Sequence, residues 1–144
     1  MALEASSSAT RSHPTPLCSD GAGGVFIGTV NIPGNSGDGG PATASLMRYP
    51  EQCALDGTGG LIVADTNAHV VRRINSGGII STVAGNGSTG CAGNGGPATQ
   101  AMLKSPRAVA SLGVSTGFWI VRLRRGGRGC TSLTSPNDAP EYAG

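Results

Sequence analysis

Asp65, Asn67 and His69 form the densest group of side chains that could do chemistry, because they alternate along one short segment. A carboxylate, an amide and an imidazole on one loop could bind a polar ligand. The alternative is structural: Asp65 and Asn67 close a tight turn through side-chain to backbone hydrogen bonds, and His69 packs beside them. We favour the structural interpretation and keep all three as candidate binding residues.

Asp38, in Gly37-Asp38-Gly39, could indicate a calcium loop. Calcium takes about six to eight oxygen ligands, and the corresponding residue of a second copy of this segment is the neutral Asn94. No Ser-His-Asp or Cys-His arrangement stands out in the sequence. We therefore predict no catalytic site, no metal and no cofactor.

Basic residues concentrate in the second half of the chain. No Asp or Glu occurs between Asp65 and Asp138, an interval that holds eight of the ten Lys and Arg residues. Such a one-sided distribution can mark a polyanion-binding surface, although a solvated face with a basic tail is the simpler explanation. Successive strand residues point to opposite faces, so one of Arg72 and Arg73 should be exposed. The basic candidates are Arg72, Arg73, Arg124 and Arg125.

The four cysteines, Cys18, Cys53, Cys91 and Cys130, are far apart in the sequence and form no Cys-X-X-Cys motif. We expect Cys53 to be a small buried apolar residue and expect no disulfide framework. No apolar run approaches the roughly 18 residues of a membrane helix, and no signal-peptide pattern is present. We expect a cytoplasmic chain as it stands, with secretion open if the natural N-terminus lies upstream.

The elements that carry these residues belong to a repeat. Gly37–Thr43 reads Gly-Asp-Gly-Gly-Pro-Ala-Thr and recurs, with one change, as Gly93–Thr99. The match continues from Pro50 to Pro106 at the same offset of 56 positions. A period of this size indicates a solenoid, a propeller or an array.

Between the two copies, the sequence predicts four short strands at about 52–55, 61–65, 70–74 and 79–83, because Val and Ile alternate with Gly, Asn and Asp turns. Residues 42–47 favour one or two helical turns. Partial units flank this region, with apolar strands near 25–28, 107–110 and 117–121. We divide the chain into a disordered segment 1–19, a repeat region 20–121 whose complete unit spans about 50–84, and a basic, disordered tail 122–144.

The complete unit resembles the NHL family of β-propellers. The family's first strand starts at a Pro and ends at an Asp turn (Pro50 to Asp56), and its second ends in Ala-Asp (Gly59 to Asp65). Asn67–Ile74 resembles the family's third strand, although Ala68 splits the usual Asn-His pair. Gly77 to Val83 matches the family's fourth strand, which begins with a Gly. The connection Val83–Thr99 is similar to the long linkers of tandem NHL arrays.

This resemblance implies an all-β fold of NHL-type blades, with one complete four-stranded blade and partial blades on either side. It also implies a non-catalytic scaffold that binds a protein or glycan partner. Relatives with a metal in the central channel use His and acidic residues from several blades, whereas the repeat region here has one His, His69, so that activity does not carry over. The alternatives are polyanion or RNA binding through the basic half, or no independent function as a fragment. A closed propeller has about four to eight blades, so we expect further blades in cis or by self-association.

Overall fold

A computed structural model of the chain describes residues 36–93 and 96–110 with their side chains, and beyond them the backbone of short strands and strand ends. The described strands are β1 (Leu17–Ser19), β2 (Val25–Ile27), β3 (Pro50–Leu55), β4 (Leu61–Asp65), β5 (Val70–Ile74), β6 (Ile80–Ala84), β7 (Ala108–Ser111), β8 (Phe118–Val121), β9 (Thr131–Thr134) and β10 (Glu141–Ala143). Single 3-10 turns lie at Ala42–Ala44, Thr66–Ala68 and Ala98–Gln100. The chain is therefore all-β, as the sequence predicts.

The central sheet contains β3, β4, β5 and β6 in chain order, and every pair is antiparallel. Its strands are Val- and Ile-rich, and tight turns join them at residues 56–60, 66–69 and 75–79. The four strands predicted within residues 50–84 are thus confirmed, with bounds that differ by at most a few residues. The helical turn predicted for residues 42–47 is shorter, a 3-10 turn over Ala42–Ala44.

Every residue of β4 is buried, so both faces of the central sheet are covered at this strand. On one face, Leu61 and Val63 pack against Met47 of the first linker, whose described part is residues 36–49. On the opposite face, Ile62 packs against Leu103 of the second linker, residues 85–105. Each linker therefore supplies the apolar cover for one face of this sheet.

The two linkers share one local fold. Gly37 and Gly93 have φ angles of 100° and 102°. Each accepts a hydrogen bond at its carbonyl from the glycine three positions later, at 3.1 and 3.2 Å. In both copies a 3-10 turn follows the Pro. The sequence repeat is therefore also a structural repeat.

The flanking sheets differ from the predicted partial units. β1 and β2 form a two-stranded sheet, whereas β7, β8, β9 and β10 form a second sheet of four strands. The prediction of an incomplete unit after the central sheet is wrong in strand number. Its last two strands lie in 122–144, where Thr131–Thr134 and Glu141–Ala143 are short and contain few apolar residues, so they give no strand pattern, and β1 lies at the end of 1–19. The domain boundaries themselves stay predictions, because most of both end segments lies outside the described residues.

We predict that Gly37→Ala destabilises the chain more than Gly39→Ala. Both glycines have positive φ, 100° and 82°, so each Ala should cost about 1–2 kcal/mol in backbone strain. A Cβ on Gly37 would also lie 2.8 Å from the Ser45 Cα, whereas one on Gly39 would meet nothing within 4 Å. Crowding of this kind costs about 1–3 kcal/mol more. Urea unfolding followed by circular dichroism measures the difference, and equal losses would contradict the prediction.

Candidate functional site

Asp65 ends β4, and its side chain is fully buried. Its carboxylate accepts hydrogen bonds from the backbone N–H of Arg48, at 3.0 and 2.9 Å to its two oxygens, and of Tyr49 at 2.8 Å. Burial raises the pKa of Asp65, and the hydrogen bonds from Tyr49 and Arg48, together with the charge of Arg72, offset part of that rise. Asp65 therefore anchors the end of the first linker and does not face solvent.

Asn67 and His69 do not join Asp65 in one ligand site. Asn67 is exposed on the 3-10 turn after β4, while His69 is half-buried with a left-handed φ of 57°. The Nδ1 of His69 accepts a hydrogen bond from the backbone N–H of Ser105 at 3.1 Å. An acceptor Nδ1 leaves Nε2 as the protonated nitrogen of the neutral ring. His69 thus contacts the second linker, and Asp65 holds the first.

Arg72 has no exposed side-chain surface. Its Nη1 donates to the carbonyl of Leu46 at 2.8 Å, and its Nη2 donates to the carbonyl of Ser36 at 3.2 Å and to the Asp38 carboxylate at 2.6 Å. The other Asp38 oxygen accepts the backbone N–H of Thr82 at 3.0 Å. Burial raises the pKa of Asp38, but the hydrogen bonds from Arg72 and Thr82 outweigh that effect and lower it. Asp38 is therefore a structural partner of Arg72.

Arg73 lies on the opposite face of β5, and 40% of its side chain is exposed. The prediction that one of the two arginines is exposed is confirmed. Its Nε donates to Asp56 at 2.7 Å, and its Nη2 donates to the Thr58 hydroxyl at 3.0 Å. The paired Arg73 thus carries little unbalanced charge, and the candidates Arg124 and Arg125 lie outside the described residues.

Asp56 organises the turn between β3 and β4, which the sequence predicts as an Asp turn without assigning the carboxylate its bonds. One of its oxygens accepts the backbone N–H of Thr58 at 2.8 Å and that of Gly60 at 2.9 Å. Burial would raise the pKa of Asp56, but these bonds and Arg73 lower it to about 2. The Asp-X-X-X-Gly spacing is the sequence signal, since Asp commonly closes such a turn.

One end of the central sheet carries exposed apolar side chains. The β3–β4 turn (residues 56–60) and the β5–β6 turn (residues 75–79) share this end, which we call the turn edge. Leu55 is 42% exposed and Ile79 is 38% exposed, and they are the large apolar residues exposed in the described part of the chain. Arg73 lies at the same end of β5. Leu55 and Ile79 therefore lie at opposite edges of the sheet at this end, because β3 and β6 are its outer strands, and Arg73 lies on β5 between them.

Cys53 and Cys91 are both disulfide-bonded. The expectation that the chain has no disulfide framework is therefore wrong. Sequence spacing could not reveal these bonds, because the fold brings together cysteines that are distant in the chain. Cys53 also packs against the apolar cluster of the first linker, as expected of an apolar residue, although it is half-buried.

Within residues 36–93 and 96–110, no group of three His, Cys, Asp or Glu side chains could hold a metal ion. The described residues also include no helix that is long and apolar enough to cross a membrane. No protein-family model and no curated protein matches the chain. Fold and site together define an all-β repeat protein whose buried polar residues hold linkers against a four-stranded sheet.

We predict that Arg72→Met releases the first linker while Arg73→Met does not. Loss of the buried guanidinium leaves the part-buried carbonyls of Ser36 and Leu46 without their donor, and each buried acceptor left unpaired costs about 1–3 kcal/mol. An exposed pair such as that of Arg73 contributes about 0–1 kcal/mol. Hydrogen-exchange mass spectrometry of residues 36–49 should show at least a roughly tenfold faster exchange in Arg72→Met. Equal exchange in both variants would contradict this.

We predict an acid-sensitive contribution from Asp56. Its folded-state pKa is lowered to about 2, so its stabilising effect is complete above the ordinary carboxyl range and is lost as the pH falls through about 4 to 2. Between about pH 5 and pH 2, the unfolding free energy should drop by about 2 kcal/mol more in the wild type than in Asp56→Asn. Urea titrations at both pH values measure the unfolding free energy of the two proteins. Equal drops in the wild type and in Asp56→Asn would contradict this role of Asp56.

Proposed function

We propose that the chain forms consecutive blades of an NHL-type β-propeller array and serves as a non-catalytic scaffold for a protein partner. The observation that carries this proposal is the recurrence of the linker as both sequence and structure, with a four-stranded antiparallel meander between the copies. Four antiparallel strands joined by tight turns are the make-up of a propeller blade. The resemblance of residues 50–84 to the NHL repeat supports the same assignment.

The covering of the central sheet supports an array in particular. Val63 and Ile62 lie on opposite faces of β4, and each packs under a different linker. The cover of the Ile62 face also includes Val109 of β7, so the following unit helps to bury this face, as in an array of repeats. Further blades in cis, or a second copy of the chain, would extend the array in the same way.

A scaffold role agrees with how the polar residues are used. Asp65 and Arg72, two of the candidate binding residues from the sequence, are buried and bonded to the linker backbone. A ligand could not reach either without displacing the linker. Arg72 and Arg73 are also both paired with carboxylates, which weakens the case for polyanion binding through this part of the basic half.

We assign the partner contact to the turn edge and to a protein partner. Protein interfaces have apolar centres in which Arg is enriched and other charged residues are depleted. The exposed Leu55 and Ile79, with the half-exposed Arg73, have this character. A glycan partner would instead favour polar groups and aromatic faces, and no aromatic side chain is among the exposed large apolar residues of the described part.

The test compares three full-length chains, each fused to a proximity biotin ligase. They are the wild type, the double variant Leu55→Glu with Ile79→Glu, and Asn67→Ala, which changes an exposed residue at the opposite end of the sheet. We expect a set of labelled proteins shared by the wild type and Asn67→Ala, with at least a roughly fivefold loss in the double variant, or about 1 kcal/mol of binding.

Circular dichroism establishes that the three chains have the same strand content. Identical labelling by all three would contradict the turn edge as the contact surface. Retention of the wild type on a heparin column at physiological salt would favour polyanion binding instead.

A further inference from the structure

The second linker carries residues that the first linker lacks. The first linker is counted from Thr29-Val30 to Gly37, and the second from Thr82-Val83 to Gly93. Between these points the second linker is three residues longer, and it contains Asn86-Gly87-Ser88. This tripeptide fits the acceptor sequence for N-linked glycosylation, Asn-X-Ser/Thr with X other than Pro. The corresponding part of the first linker contains no such tripeptide.

The structure places this tripeptide at the surface. Asn86 is exposed, two residues after β6 ends, and Ser88 is exposed as well. The Asn86 backbone N–H donates to the carbonyl of Ala101 at 2.9 Å, which fixes the start of the loop. The side-chain Oδ1 of Asn86 accepts the backbone N–H of Ser88 at 2.9 Å, which forms an Asx turn.

We propose that Asn86 is an acceptor site for N-linked glycosylation. The donor is an oligosaccharide linked to a polyprenyl pyrophosphate. The Nδ2 of Asn86 forms a bond to the anomeric carbon of the first sugar, and the bond from that carbon to the pyrophosphate oxygen breaks. The lipid pyrophosphate leaves with the electron pair, and Nδ2 gives up one proton to a base of the transferase. No atom changes oxidation state overall.

The folded linker is compatible with the product. Nδ2 donates one hydrogen to the carbonyl of Gln100 at 3.3 Å, an exposed contact. An amide nitrogen carries two hydrogens, so the glycosylated nitrogen keeps one and can still make this bond. The glycan itself extends into solvent, because Asn86 lies on the surface.

The disulfides provide a second, independent observation. Cys53 and Cys91 are both disulfide-bonded, and Cys91 lies three residues after Ser88. Disulfides form and persist in the oxidising secretory compartments and are rare in the cytosol. Lipid-linked oligosaccharide donors are used in those same compartments. The disulfides therefore favour the environment in which Asn86 could be glycosylated, contrary to the cytoplasmic expectation.

The chain contains a matched control at Asn75. It is also exposed, and its Oδ1 accepts the backbone N–H two residues later at 2.9 Å, as that of Asn86 does. Its second following residue is Gly77, so it lacks the hydroxyl of the acceptor sequence. Gly77→Ser supplies that hydroxyl and would bring its Cβ to 3.3 Å from the Asn75 Oδ1, a close approach that a small side-chain shift relieves.

The test expresses the full chain with an added signal peptide in a eukaryotic cell line, and intact mass is measured on chain from cells and medium together. The wild type should carry one glycan that peptide N-glycosidase removes. Asn86→Gln and Ser88→Ala should carry none, Ser88→Thr should keep the glycan, and Gly77→Ser should carry two. Digestion with peptide N-glycosidase in oxygen-18 water adds the heavy oxygen to the Asp that glycan release creates. The mass of this Asp therefore differs from that of Asp formed earlier by deamidation of the Asn86-Gly87 sequence. A wild-type chain without a glycan at Asn86 would overturn the proposal.

Discussion

Arg72 donates three hydrogen bonds to the first linker from a side chain that has no exposed surface. Removing a cation from water costs several kcal/mol even after the protein relaxes. The charge is tolerated because two backbone carbonyls and the half-exposed Asp38 carboxylate surround it. From the other end of the same linker, Asp65 receives the backbone N–H groups of Arg48 and Tyr49. These two buried charges hold the linker in place, and the linker in turn covers the apolar face of β4 and β5.

The two copies of the linker are held by different forces. The first is fixed by Arg72 and Asp38, whereas the second has Asn94 at the position of Asp38. The described contacts of the second linker are mainly apolar packing by Leu103 and Ala98 and backbone bonds such as Gly85 N–H to the Ala98 carbonyl at 3.0 Å, with a side-chain bond from the Ser105 N–H to His69 Nδ1. Apolar packing and backbone bonding depend little on which other side chains the linker contains. The second linker can therefore accommodate an insertion that the charged anchor of the first would constrain.

The sequence predicted the central sheet because its signals are local. Val- and Ile-rich runs and the glycine, Asn and Asp turns are read within a few residues, and they located β3 to β6. The roles of Asp65 and Arg72 depend on a linker far away in the chain, so local signals indicated that these residues matter but not what they contact. The disulfides of Cys53 and Cys91 and the strands β9 and β10 were missed for related reasons. Cysteine pairing depends on the fold, and strands of three or four residues with few apolar side chains show no alternation.

The repeat also explains where function can lie in such a chain. Residues that recur at the period of 56 positions build the linker and are committed to turns, 3-10 segments and bonds to the sheet. A ligand that bound them would compete with the fold itself. Exposed side chains outside these contacts are not committed in this way. Leu55, Ile79 and Asn86 are of this kind: they are exposed, and their side chains are not needed to hold a linker to the sheet. In this fold the buried polar side chains Asp65 and Arg72 hold the first linker to the sheet, so substitution is less constrained at the exposed positions than at these two.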